Sequence, residues 1–243
     1  MSASPPTGLR AYHRYTRSAT YGVLSAVPLF VLYEVMIVAV NTGTRAPVRV
    51  GAGVWLKDLL ALTGARGGLI LILIAGIAAV AAYFIDRNRN IPVRGRYFLG
   101  IIAESTVYAI VVAVLVSSLV AVLFALIPPL DGPLWTQLAL SIGAGLYEEL
   151  FFRVLLVGGL ALAFRPFFAA ESRAYVLAAL LGAALFSFVH YVGPLGDPFE
   201  LPSFTFRFAF GLAMNVLFLW RGFGVAAWTH ALYDVMVVTG IFG

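Results

Sequence analysis

The sequence predicts an all-α, polytopic transmembrane bundle of about seven spanning helices, with its N-terminus inside. Three observations support this fold class: the composition, the apolar stretches of spanning length, and the positions of the basic residues. Hydrophobic residues make up 62% of the 243-residue chain and charged residues only 11%, whereas soluble domains contain about 45–50% and about 25%. A bilayer is therefore the predicted solvent. The chain has no cysteine, which excludes disulfides and thiolate metal sites.

The apolar stretches give the number of helices, because a spanning helix needs roughly 20 mostly apolar residues. Candidate spans lie at 19–41, 68–85, 104–127, 134–164, 174–192, 202–220 and 223–242. The segment 47–66 is less apolar, and it is predicted to be either a surface helix or a short re-entrant segment. The chain contains no internal repeat of the kind found in transporters with inverted halves.

The basic residues predict the orientation of the chain in the membrane. With the N-terminus inside, 10 of the 16 Lys and Arg residues fall in inside segments, as the positive-inside rule requires. These are Arg10, Arg14, Arg17, Arg87, Arg89, Arg94, Arg96, Arg165, Arg173 and Arg221. We interpret the net charge of +5 as topology information and weak attraction to anionic lipid, with no nucleic-acid partner. The expected location is an integral, multi-pass position in a membrane, the cell membrane if the source is prokaryotic.

Ionisable residues within the predicted spans identify the functional region. On insertion scales a charged side chain at a helix centre costs at least ~2.5–3.5 kcal/mol, so such residues need a partner or a function. Seven lie inside the spans and away from their ends: Glu34, Glu148, Glu149, Arg153, His190, His230 and Asp234. All except Glu34 belong to the fourth, fifth and seventh predicted helices. The C-terminal half is therefore the predicted location of the site.

The first motif is the acidic pair in the fourth predicted helix. Glu149 and Arg153 are four residues apart, so they share a helix face and can form an ion pair. Glu148 lies about 100° around the helix from Glu149 and has no charge partner on its own helix. An unpaired carboxylate suits a general acid or base. The alternative is a structural ion pair with an additional carboxylate. Gly143 and Gly145 permit close helix approach beside Glu148, for catalytic access or for packing.

The other two motifs each contain a histidine. Phe186 and His190 share a face, so the phenyl ring can pack over the imidazole; the alternative is a core histidine bonded to a backbone carbonyl. His230 and Asp234 also share a face, and Asp234 can accept from one ring nitrogen and set the tautomer that the other presents. The alternative there is a self-contained pair. If the three helices converge, the set can deprotonate a water molecule and stabilise an oxyanion, which is the chemistry of hydrolysis.

These motifs resemble those of the CAAX prenyl protease and bacteriocin-processing (CPBP) family of intramembrane proteases. The family has three motifs: Glu-Glu-x-x-x-Arg, Phe-x-x-x-His and His-x-x-x-Asn/Asp. In this chain they begin at Glu148, Phe186 and His230, in the same order. The resemblance covers roughly residues 134–243. With the apolar stretches and basic residues described above, it predicts three parts: a basic cytoplasmic tail at 1–18, N-terminal membrane helices at 19–133 and a CPBP-like catalytic core at 134–243.

The resemblance implies an intramembrane endopeptidase that cleaves a membrane-associated or exported protein or peptide. Glu148 is then the general base for the attacking water, and His190 helps to hold and polarise that water. Glu149, Arg153 and Phe186 are supporting residues. His230 stabilises the oxyanion. Many family members have Asn at the last motif position, and Asp234 cannot donate a hydrogen bond unless it is protonated, so we assign Asp234 to orienting His230.

The sequence favours no cofactor. Glu148, His190 and His230 form a His₂Glu set of the type that binds zinc, but the helical His-Glu-x-x-His motif of metalloproteases is absent. A glutamate-dependent, metal-free reaction is therefore favoured over a zinc-dependent one.

Two other functions stay open at this stage. Buried Glu, His and Asp residues also form proton relays, so a proton-coupled transporter is one alternative. A non-catalytic membrane scaffold on the same fold is the other. Glu34 is predicted to pair with Arg207, to line the cavity or to serve a structural role.

Overall fold

The computed structural model describes residues 8–44, 47–62, 64, 68–123, 133–193 and 196–241. Within these ranges the chain is helical and contains no strand, which confirms the all-α class. The helices are α1 Gly8–Thr16, α2 Ala19–Asn41, α3 Gly51–Ala61, α4 Gly68–Asp86, α5 Gly95–Leu123, α6 Leu134–Gly143, α7 Gly158–Phe164, α8 Glu171–Phe188, α9 Leu201–Arg221 and α10 Phe223–Val238. A π-helical segment, Ala144–Val157, joins α6 to α7. Short 3₁₀ turns follow α7 and α8, at Arg165–Phe167 and Val189–Tyr191.

Among the described residues, five helices are long and apolar enough to cross a membrane. They are Ala19–Asn41, Gly95–Leu119, Leu134–Phe167, Glu171–Tyr191 and Leu201–Arg221. Two shorter apolar helices, Leu73–Asp86 and Phe223–Val238, correspond to the second and seventh predicted spans. The multi-pass helix bundle with about seven spans is therefore confirmed.

The helix that forms the third span begins earlier than predicted. Helix α5 begins at Gly95, nine residues before the predicted start at 104, so Glu104 lies in its third turn. Hydropathy misses this start because the first turns of the helix contain basic and aromatic residues. The predicted end, at 124–127, and the Pro128-Pro129 turn after it lie outside the described residues.

The weakly apolar segment 47–66 contributes α3, and residues 63, 65 and 66 of it lie outside the description. With 11 residues, α3 is too short to span a bilayer. It packs against the π-helical segment and α4, and it buries Ala52 and Leu56 in a core cluster shared with α2 and α6. At its inner surface Gly53 lies against the ring of Tyr147, where an added Cβ would be 3.3 Å away.

Helix α10 is central to the bundle, since it packs against α2, α5, α6, α9 and the π-helical segment. Helix α2 is more peripheral, with one face against the protein and the other exposed. It buries Leu29 and Tyr33 against protein, while Val27, Val31 and Val35 are 49%, 51% and 64% exposed. An apolar residue on the exposed face is favourable only where lipid covers it. Protein-facing and lipid-facing sides are thus both apolar.

Candidate active site

The acidic pair lies in the π-helical segment within the long helix Leu134–Phe167. At the end of this segment the amide of Gly158 donates to the carbonyl of Arg153, five residues earlier, which is the π-helical pattern. Such wider turns inside α-helices are frequent at functional sites. Here Glu149 is fully buried, whereas Glu148 is only partly buried, so the two neighbouring carboxylates occupy different surroundings.

Gly145 allows the π-helical segment to approach α10 closely. A Cβ at this position would lie 2.5 Å from the carbonyl oxygen of Ala227 and 2.6 Å from the amide nitrogen of Ala231. Both atoms belong to the backbone of α10, so neither can move as a flexible side chain could. The close approach brings Glu149, one turn further along, within bonding distance of α10.

A continuous series of charged and polar groups connects the two helices. Glu149 Oε2 lies 3.1 Å from Arg153 Nε, so the pair expected from the spacing is present, although its angles do not meet hydrogen-bond criteria. Glu149 Oε1 lies 2.7 Å from Nδ1 of His230. The other ring nitrogen, Nε2, lies 3.4 Å from Asp234 Oδ2. Each ring nitrogen of His230 thus faces a carboxylate that can accept a hydrogen bond from it.

The ring of Phe186 joins all three motifs. It contacts the imidazole of His190 edge-on, with 5.1 Å between ring centroids, and the imidazole of His230 at 6.3 Å. The guanidinium of Arg153 lies over the same ring, 4.7 Å from its centroid. Such a cation–π contact lowers the cost of burying an arginine that is 1% exposed. The structure therefore brings the three motif helices together around one buried phenyl ring.

His190 lies in the 3₁₀ turn Val189–Tyr191 at the end of α8 and is half-buried. Its Nδ1 lies 2.8 Å from the carbonyl oxygen of Phe186 and donates to it. This bond fixes the tautomer, since the proton on Nδ1 leaves Nε2 as an acceptor. The backbone bond and the phenyl contact occur together, so the two interpretations drawn from the sequence describe the same side chain.

Glu148 makes neither a hydrogen bond nor an ion pair within the described part of the chain. It acts electrostatically on Arg153, which also interacts with Glu149 and Tyr175. An acceptor-only carboxylate in this position is available to a water molecule or a substrate amide.

The zinc hypothesis requires three donor atoms that converge. Within the described ranges, no group of three or more His, Asp or Glu side chains is arranged to hold a metal ion. Both ring nitrogens of His230 face carboxylates, those of Glu149 and Asp234.

Comparison with known families supports the motifs. Residues 129–236 match the family model described as type II CAAX prenyl endopeptidase Rce1-like. These residues form an Rce1-like domain of the CPBP family. The matched range includes all three motifs, from Glu148 to Asp234, so the family suggested by the motifs is confirmed. No curated protein and no solved structure matches the chain.

The match supports a CAAX protease-type enzyme, a hydrolase, for the Rce1-like domain, and the apolar helices support its location in a membrane. The match covers fewer than half of the 243 residues. Residues 1–128 lie outside it, although α2 and α3 from that part contribute to the core beneath the π-helical segment.

Sequence reasoning missed several contacts of the Rce1-like domain. The bond between Glu149 and His230 joins residues 81 positions apart, and no spacing rule predicts it. Phe152 and Phe210 pack against Phe186, and neither contact is predicted by spacing along the sequence.

The suggested pairing of Glu34 with Arg207 is wrong. Glu34 lies 3.3 Å from Arg49 and 3.5 Å from Lys57, and the hydroxyl of Tyr147 donates to it at 3.1 Å. Arg207 instead pairs with Asp197, 2.5 Å away. The two basic partners, Arg49 and Lys57, come from α3 and the segment before it, which lie outside the predicted spans.

Proposed function

We propose that the protein is an intramembrane endopeptidase in which Glu148 activates the water that attacks a peptide bond of a membrane-associated or exported substrate. The observation that carries this proposal is the meeting of His190, His230 and Arg153 around the ring of Phe186. Glu148, which forms no hydrogen bond or ion pair with the described residues, lies in the same π-helical segment as Arg153.

Glu148 and His190 form the water-activating half of the proposed site. The Glu148 carboxylate accepts a proton from water as the oxygen attacks the carbonyl carbon, and it returns that proton to the leaving amine. His190 assists through Nε2, which the bond from Nδ1 to the Phe186 carbonyl leaves as an acceptor. A fixed tautomer of this kind orients a water molecule before the reaction begins.

His230 forms the oxyanion-stabilising half. Its 2.7 Å contact with the fully buried Glu149 supports a role for Glu149 in orienting the ring. The 3.4 Å contact with Asp234 is longer than an ordinary hydrogen bond. The Nε2 proton is thus weakly held by Asp234, and a developing oxyanion can compete for it. Asp234 cannot donate to that oxyanion while ionised, so we assign it to orienting the His230 ring from the more exposed side.

The family match favours hydrolysis over the two alternative functions, proton-coupled transport and scaffolding, because its description is that of an endopeptidase. The substrate class follows only in part. Prenylated CAAX tails, bacterial sorting signals and secreted peptide precursors are all candidates, and each presents a peptide bond near the membrane surface.

The decisive experiment compares Glu148→Gln with Glu171→Gln. Glu171 is an exposed acid at the start of α8, so its substitution controls for loss of one charge. The purified chain in detergent is incubated with a fluorogenic farnesyl-cysteine CAAX peptide and with the same peptide lacking the farnesyl group. Loss of a general base lowers the rate by roughly 10²–10⁴-fold. We expect that loss for Glu148→Gln alone, on whichever peptide the wild type cleaves.

Cleavage at the wild-type rate by Glu148→Gln would disprove the proposed mechanism. Proton flux in vesicles that depends on Glu148, without cleavage of any membrane-bound peptide, would favour the transporter instead.

A further inference from the structure

The basic face of α1 is a second feature of the molecule, independent of the candidate active site. Four basic residues recur at the spacing i, i+3, i+4 and i+7, which puts them on one side of the helix and the residue after it. They are Arg10, His13, Arg14 and Arg17, and all four are exposed. The opposite side of α1 is packed against the bundle, where Ala11 is buried and the Tyr12 hydroxyl donates to Glu104 at 2.6 Å.

These basic residues line an open cavity of about 970 Å³. Its other walls are the segment after α4, which contributes Arg89 and Ile91, and the last turn of α9, which contributes Trp220 and Arg221. Apolar side chains, including Leu9, complete the lining. The cavity therefore combines a strongly cationic wall with an apolar one.

The charges of the cavity do not balance. Arg221 is fully buried and paired with Glu104, and Arg89 is paired with Asp86 at 3.4 Å, so these two cations are neutralised. Arg10, Arg14 and Arg17 form no ion pair with any residue that the structure describes.

Three guanidinium groups thus face one cavity without a carboxylate partner among the described residues. Residues 1–7 contain no Asp or Glu. Guanidinium groups bind phosphate oxygens through pairs of parallel hydrogen bonds, so this cluster matches a phosphate better than a single carboxylate.

The position of the cavity indicates where its ligand comes from. Trp220 is 54% exposed at the end of a spanning helix, and tryptophan at such ends marks the level of the lipid headgroups. Leu9, 81% exposed at the start of α1, offers an apolar contact beside the arginines. A ligand with a phosphate and an adjoining acyl chain satisfies both walls.

We propose that this cavity binds the phosphate-bearing headgroup of an anionic membrane lipid, with Arg10, Arg14 and Arg17 as its phosphate ligands. The lipid then fixes α1 against the ends of α4 and α9. This binding site is separate from the proposed catalytic chemistry, and it requires no cleavage activity.

The test measures lipid binding by native mass spectrometry on the detergent-purified full chain, titrated with phosphatidic acid, phosphatidylglycerol or phosphatidylcholine. The test variant is Arg10→Gln/Arg14→Gln/Arg17→Gln. The matched control is Arg87→Gln/Arg94→Gln/Arg96→Gln, which removes the same charge from the same predicted side of the membrane but outside the cavity. A parallel arm uses glycerol 3-phosphate to separate a lipid from a free phosphate ligand.

We expect the wild type to bind one anionic lipid per chain. The affinity should be lower by on the order of a hundredfold in the test variant and nearly unchanged in the control. Phosphatidylcholine should bind far more weakly than either anionic lipid. Equal losses in both triple variants, or no loss in either, would overturn the cavity as the site. Glycerol 3-phosphate binding as tightly as phosphatidic acid would overturn the lipid assignment, since the acyl chain would then contribute nothing.

Discussion

Replacement of each of the two adjacent glutamates by glutamine should have very different consequences for stability. Glu149 is fully buried between Arg153, at 1% exposure, and His230, at 4% exposure. Glu149→Gln removes the one carboxylate that both groups contact, and it leaves a buried guanidinium without its ion pair. Glu148→Gln removes a partly buried carboxylate that makes no hydrogen bond or ion pair with the described residues.

The magnitudes follow from these surroundings. Removal of one partner from a buried ion pair costs about 3–5 kcal/mol, and a chain of this size loses about 2–4 °C in Tm for each kcal/mol, so Glu149→Gln should lower Tm by roughly 6–20 °C. A position without such contacts changes the free energy of unfolding by less than about 1 kcal/mol, so Glu148→Gln should keep a Tm near that of the wild type. Its activity should nevertheless fall.

Thermal unfolding of both variants in one detergent, followed by intrinsic fluorescence, measures the difference, and peptide cleavage is assayed on the same samples. Glu149→Asp is a useful third variant, because it keeps the charge and should lose less stability than Glu149→Gln. Equal Tm values for Glu148→Gln and Glu149→Gln would refute the division of the acidic pair into a partnered structural residue and an unpartnered catalytic one.

Three further predictions concern packing, a second ion pair and metal dependence. Gly145→Ala puts a Cβ 2.5 Å from the Ala227 carbonyl oxygen and should lower the free energy of unfolding by about 1–3 kcal/mol. The control, Gly159→Ala, has no neighbouring atom within 4 Å and should lower it little. Equal Tm values for the two variants would contradict the close approach of the helices. Arg221→Gln leaves Glu104 without its buried partner and should lower the free energy of unfolding by about 3–5 kcal/mol in the same assay. A loss below about 1 kcal/mol would show that the pair is not structurally important. Peptide cleavage should persist after treatment with a chelator in a preparation shown to be metal-free by elemental analysis, and activity that disappears and returns with zinc would contradict the metal-free reaction.

The contacts within single helices were accessible from the sequence. Residues four apart on a helix face one another, so the pairing of Glu149 with Arg153 and the contact of Phe186 with His190 follow from spacing alone. The positions of the spanning helices follow from hydropathy in the same way. The error at α5 arose because the helix begins at Gly95, before its apolar stretch.

That error concealed a structural ion pair. A predicted start at 104 leaves Glu104 at the edge of the span, and the topology predicted from the sequence puts Arg221 in an inside segment. In the structure Arg221 is fully buried and paired with Glu104, 117 positions away in the chain. Hydropathy could not predict this pairing, because it evaluates each segment alone.

By itself, the sequence determined the membrane class, the approximate spans and the three motifs with their contacts inside each helix. Only the tertiary structure decided that Glu149 bonds to His230, that Glu34 pairs with Arg49 and Lys57, and that Phe186 lies at the meeting point. The physical reason is the solvent. In a bilayer the lipid-facing and protein-facing sides of a helix are both apolar, so periodicity does not show which side turns inward. Close approach at small residues such as Gly145 decides which side of the helix faces the protein. The same close approach decides the partner of each buried charge.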